Sequence, residues 1–132
     1  MVLDTHALVW LDAGSDQLGV YARKRIDQSL QESALFVSAM SFWEVAMLVD
    51  KGRLTMAISV ETWRRQLLDS GLQEIPLTGD IAITSANLPD FHGDPADRII
   101  TATAILRDAC LCTADKKILL WEQSFLRLDA GK

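Results

Sequence analysis

The sequence predicts an α/β fold, a three-layer α/β/α sandwich around a central parallel sheet of order 3-2-1-4-5. Three observations point there. Short apolar runs suited to buried strands, such as Val2-Leu3, Leu35-Phe36-Val37 and Ala109 to Thr113, alternate with stretches of helical periodicity. Acids stand directly after the first run (Asp4) and after the fourth (Asp115). In that order strands one and four lie side by side where the winding reverses, and open sheets bind ligands beyond the carboxyl ends of such strands.

The chain has 132 residues and is expected to form one domain, 1–132. A chain of that size buries roughly two thirds of its unfolded surface without staples. Hydrophobic residues make up 49% and charged residues 23%, an ordinary globular composition. No apolar run approaches the ~18 residues of a membrane span. Met1-Val2-Leu3-Asp4 has neither a basic stretch nor a long apolar one, so no secretory signal is expected and the expected compartment is the cytoplasm. The formal net charge of −5 is not the broad basic surface of a typical nucleic-acid binder. An anionic substrate would need local cations or a bound metal. Cys110 and Cys112, the only cysteines, are too close along one strand to bridge each other and read as free thiols.

The elements follow in order. Val2-Leu3 is a strand, and Asp4-Thr5 opens a helix carrying Ala7, Leu8, Trp10 and Leu11 that ends near Ala13-Gly14. Leu18 to Gln31 is amphipathic, with Arg23-Lys24-Arg25 on its solvated side. Leu35 to Val37 is the second strand. Ala39 to about Lys51 is helical, with Met40, Trp43, Met47 and Leu48 as its expected buried stripe and Gly52 as its stop. Ser59 to Asp69 is a helix with Trp63, Leu67 and Leu68 inward, and Leu72 to Leu77, which contains Pro76, is an outer strand. A short helix spans Ile81 to Leu88. Asp94-Pro95 then begins a mostly apolar helix through Leu106, which feeds the strand ending at Thr113. A helix folded back on its strand runs antiparallel to it, which brings Asp97 and Asp115 to the same sheet edge. Asp115 to Trp121 is a short helix and Phe125 to Leu128 a weak final strand.

Each acid also has a purely structural reading. Asp4, Asp94 and Asp115 suit helix N-caps, and Asp97 suits the first turn of a helix. Ser41 and Glu44 have capping-box spacing, but Ser38 directly follows its strand and is the better cap. That leaves Glu44 inside the helix between Trp43 and Val45, a costly place for an unpartnered carboxylate. Taken jointly, Asp4, Glu44, Asp97 and Asp115 converge on one edge. Carboxylates sharing a pocket repel and raise one another's pKa, and a hard divalent cation relieves that repulsion. The chemistry suggested is metal-dependent hydrolysis of a phosphodiester. Thr5 and Thr113 could support ligands, Arg98 could pair with a carboxylate or meet phosphate, and Lys116 is the lysine best placed to reach RNA. His6 and His92 read as structural.

At Asp4-Thr5-His6-Ala7, Ser41-Phe42-Trp43-Glu44, His92-Gly93-Asp94-Pro95-Ala96-Asp97-Arg98 and Thr113-Ala114-Asp115, the chain resembles the PIN-domain nucleases, in particular the VapC-type toxins of toxin–antitoxin pairs. The resemblance runs over essentially the whole chain in the right order. It implies an endoribonuclease in which Asp4, Glu44, Asp97 and Asp115 hold Mg²⁺ or Mn²⁺, with Asp94 as an accessory acid. It also implies an RNA substrate such as tRNA, cleavage leaving 5′-phosphate and 3′-hydroxyl ends, a homodimer, and a VapB-type antitoxin that blocks the site. Ala96 stands where many relatives carry a bulky aromatic residue. Two other readings remain open here: a phosphotransfer or phosphatase-like α/β domain, and a non-catalytic module that kept the fold. Against the first, Asp4 is followed by Thr5 and His6 rather than by a second acid; against the second, all four acids are intact.

Overall fold

The computed structural model describes residues 1–132. In chain order the elements are β1 (Val2–Leu3), α1 (Thr5–Ala13), α2 (Val20–Gln31), β2 (Phe36–Ser38), α3 (Ala39–Asp50), α4 (Val60–Asp69), β3 (Gln73–Ile75), α5 (Gly79–Ala86), α6 (Pro95–Leu106), β4 (Leu111–Thr113), α7 (Lys116–Leu119) and β5 (Arg127–Asp129). The five strands form one sheet in the order β3-β2-β1-β4-β5, and every pairing is parallel. The expected fold class and strand order are what the chain adopts.

Successive strand residues point to opposite faces, so the sheet divides the core in two. Leu3, Val37 and Cys112 pack with Leu8, Ile26, Val45 and Trp63 under α1 to α4. Val2, Leu111 and Ile75 pack with Ile81, Ile100, Ile118 and Trp121 under α5 to α7. Val2, Leu3, Val37, Leu111 and Cys112 are all fully buried, as expected where helices cover both faces of a parallel sheet.

Several boundaries shift for local reasons. Helix α2 begins at Val20 rather than Leu18, because the chain end packs against its first turn: the Gly19 amide donates to Ala130 O at 2.8 Å and Tyr21 N to Lys132 O at 2.9 Å. A Cβ at Gly19 would lie 2.1 Å from the Lys132 carbonyl carbon, so only glycine fits there. Ser38 does cap α3, accepting from Met40 N. The buried face of α3 is Phe42 and Val45, however, not the expected Met40-Trp43-Met47-Leu48 stripe, and Trp43 is 52% exposed. The cap sets the helix phase, and Phe42 turns inward to meet Trp63 edge-on at 5.8 Å. Helix α5 starts two residues early because Thr78 caps it, accepting from Ile81 N. Helix α7 ends at Leu119, and Trp121 beyond it fills the second core. Strand β5 falls at 127–129 because Phe125 packs on the Trp121 ring, 5.6 Å away. Both cysteines are free, Cys112 fully buried, and burial pushes its thiol up to about 12.

Candidate metal centre

Strands β1 and β4 are neighbours, and the residues following their carboxyl ends open onto one cleft of about 350 Å³. Asp4, His6, Trp10, Glu44, Asp94, Asp97, Ala114 and Asp115 line it. Each acid comes from a different local structure. Asp4 caps α1, its Oδ1 accepting from Ala7 N at 2.8 Å, while its own amide is held by Cys112 O across the β1–β4 pair. Asp94 caps α6 through Asp97 N at 3.0 Å, with Pro95 in the first turn. Asp115 caps α7 through Lys117 N at 2.8 Å. Glu44 reaches the cleft from within α3. Capping and lining the cleft are therefore not rival roles for Asp4, Asp94 and Asp115. A cap uses one carboxylate oxygen and leaves the other free.

The electrostatics show what the cleft lacks. Asp4 is only 6% exposed, and burial raises its pKa above the ordinary carboxylate range. The Thr113 hydroxyl and the Ala7 amide oppose that shift in part. Thr113 Oγ1 accepts from Asp115 N at 3.1 Å, so its hydroxyl proton is free for Asp4. Asp97 is pushed up to about 6, first by burial and then by Asp94 and Asp115, against the opposing contact from His92. No lysine or arginine pairs with any of these acids; the sole ionic partner is His92, with Nε2 2.8 Å from Asp97 Oδ2 and 3.9 Å from Asp115 Oδ2. Single ligand atoms of His92, Asp97 and Asp115 all lie within 4.8 Å of one another. Crowded oxygen donors without a fixed counter-cation fit a hard divalent ion such as Mg²⁺ or Mn²⁺.

The family profile described as PIN domain matches residues 1–120. Over 119 residues the chain is 35% identical to ribonuclease VapC22 of Mycobacterium tuberculosis (strain ATCC 25618 / H37Rv), covering 89% of this chain and 88% of the relative. The chain belongs to the PIN-domain family. Among solved structures, VapBC2 from Rickettsia felis bound to a promoter DNA fragment superposes with a TM-score of 0.71 at 15% identity, covering 97% of this chain and 96% of the other. A toxin–antitoxin complex from Klebsiella pneumoniae superposes with a TM-score of 0.61 at 24% identity, covering 92% and 91%. Both share the fold of this PIN domain.

Within the PIN domain, Asp4, Glu44, Asp97, Asp115 and accessory Asp94 all reach the one cleft. Thr113 backs Asp4 and Asp115, whereas Thr5 turns inward and donates to Ser41 Oγ at 3.0 Å, tying α1 to α3. Arg98 requires a correction. It faces neither carboxylate nor solvent phosphate, because its guanidinium donates to His92 O, Ser85 O and Phe91 O at 2.9, 2.8 and 2.8 Å. Lys116 is exposed and lines no part of the acidic cleft; Lys117, with His92, lines a neighbouring cleft instead. His92, which reads as structural in the sequence, is the histidine that meets these acids. Its only signal was its position five residues before Asp97, in the loop leading into α6.

Proposed function

We propose that this chain is a metal-dependent endoribonuclease of the VapC type, held in check by a small antitoxin. One observation carries the reading: five carboxylates line a single cleft at the sheet's switch point with no lysine or arginine to neutralise them. In this reading Asp4, Glu44, Asp97 and Asp115 hold Mg²⁺ or Mn²⁺, and Asp94 shapes the rim. The ion supplies Lewis acidity at the scissile phosphate and makes a nearby water more acidic. The side chains then set the geometry. Asp4, braced by Thr113 and the Ala7 amide, and Asp97, braced at its first-turn position on α6, keep their oxygens fixed while an RNA strand lies across the cleft. Lys116 and Lys117, both exposed at the start of α7, are the nearby cations for its backbone. Attack in line by water leaves 5′-phosphate and 3′-hydroxyl ends.

The ribonuclease reading is supported by the 35% identical relative, and the antitoxin by the toxin–antitoxin assemblies among the structural neighbours. A homodimer is supported by the apolar side chains exposed beside α5 and α6, among them Leu77, Ile83 and Leu106. No helix is long and apolar enough to cross a membrane, and a cytoplasmic location goes with an RNA substrate. Purified chain freed of any partner should cleave RNA with Mg²⁺ or Mn²⁺. It should stop in EDTA, and Asp97→Asn should lower the rate by at least about a hundredfold, as loss of a group that stabilises transition-state charge does. Cleavage that persists in chelator would refute the reading.

A further inference from the structure

We propose that His92 is itself a ligand of the bound cation, so that the centre is a mixed nitrogen and oxygen site that prefers Mn²⁺ to Mg²⁺. The proposal rests on the metal-dependent reading above and goes beyond it by adding a donor to the four acids. Its basis is where the imidazole sits and how little it can move. Nε2 is 2.8 Å from Asp97 Oδ2 and 3.9 Å from Asp115 Oδ2. In an octahedral shell with bonds of about 2.1 Å, ligand atoms stand about 3 Å apart when adjacent and about 4.2 Å apart when opposite. The 2.8 Å separation is close to that of adjacent ligands and the 3.9 Å separation is nearer to that of opposite ones. Ligand atoms of His92, Asp97 and Asp115 all lie within 4.8 Å of one another, so a cation drawn to the two carboxylates has the imidazole nitrogen beside it.

The surroundings keep it from leaving. Phe91 stacks on the His92 ring at 4.4 Å and 22°, and Trp121 meets Phe91 edge-on at 5.0 Å. Trp121 Nε1 donates to Pro89 O at 2.8 Å, anchoring the other end of the same loop. Arg98 spends its guanidinium on the carbonyls of Phe91 and His92 in this loop, and on Ser85 O in α5. Swinging the loop away would strand those charge-assisted hydrogen bonds. Without an ion the 2.8 Å contact to Asp97 is a hydrogen bond, and a bound cation would take the place of the proton it shares. Imidazole is a softer ligand than carboxylate, suits transition metals, and discriminates against Mg²⁺, which favours oxygen and gives up water reluctantly.

Electron spin-echo measurements on the full chain loaded with Mn²⁺ test this directly, because a coordinated imidazole imprints its nitrogen on the echo. The native protein should show that modulation. His92→Gln should lack it and bind Mn²⁺ about tenfold more weakly by calorimetric titration, with Mg²⁺ affinity changed less than about threefold. Native protein that binds Mn²⁺ stoichiometrically without the nitrogen signature overturns the assignment of His92 and leaves the acidic site standing. Equal losses for both ions in His92→Gln, with an unchanged melting temperature in EDTA, would likewise overturn the preference. Absence of saturable Mn²⁺ binding by the native chain would overturn the metal reading itself. The native spectrum decides even if the variant folds poorly.

Discussion

Asp97 carries a cost that the folded chain bears until something shares its charge. Its folded pKa of about 6 lies above the ordinary carboxylate value of 3.8. Between those values the folded state holds a proton that the unfolded state has released, so stability falls as pH rises from about 4 to about 6 and then levels off. A two-unit shift corresponds to a penalty on the order of 3 kcal/mol above pH 6. Asp97→Asn removes the charge and keeps an oxygen for His92, so in chelator at pH 7 it should be more stable than the native chain by up to that amount. The two should converge near pH 4. Denaturant melts at both pH values check this, and a native chain whose stability rises between pH 4 and 6 relative to the variant would contradict it.

At the scale of elements, the segment from Pro89 to Arg98 is tied down chiefly by the Arg98 side chain, with Trp121 holding its Pro89 end. Arg98 projects from the first turn of α6 and donates to three carbonyls, two of them in the loop ahead of it. It also lies 5.7 Å from the Phe91 ring centroid. Lysine keeps the charge but offers a point donor where the planar fork bridges three acceptors. Arg98→Lys should cost about 1–3 kcal/mol and weaken cation binding by loosening His92, with the fold intact by circular dichroism. An unchanged melting temperature would show that the three contacts are dispensable.

This segment also marks the limit of what the sequence discloses. The Asp94-Pro95 start of α6 was plain, because an N-cap acid followed by proline is a local signal. The convergence of Asp4, Glu44, Asp97 and Asp115 was legible too, since strand order and crossover handedness fix which loops meet. The three-pronged role of Arg98 was not, for it depends on the path of a loop without periodicity. Nor was the approach of His92, which a stacked ring and that same guanidinium determine. On α3 an apolar stripe was misread because Trp43, Met47 and Leu48 are hydrophobic yet lie outside the face that Phe42 and Val45 bury.

Viewed whole, the molecule has two half-cores that share one sheet, with β1 in its middle contributing Val2 to one and Leu3 to the other. Neither half can melt without stripping a face of the same strands, and we propose that residues 1–132 unfold as one unit in a single transition. Because the cleft collects charge from both sides of that unit, a cation bound there stabilises all of it. At a free concentration a hundred times its dissociation constant the gain is about 2.7 kcal/mol. A thermal scan with saturating Mn²⁺ should therefore shift the entire transition upward relative to EDTA, and Asp97→Asn should abolish most of the shift. A cation-independent midpoint would mean that nothing binds.

The cleft is gathered from residue 4 near one end of the chain to residue 115 near the other. During synthesis Asp4, Glu44 and Asp97 leave the ribosome before β4 has formed, so nothing yet seats Asp115 beside them. A nascent chain in which β4 has not yet joined β1 therefore has no complete cleft.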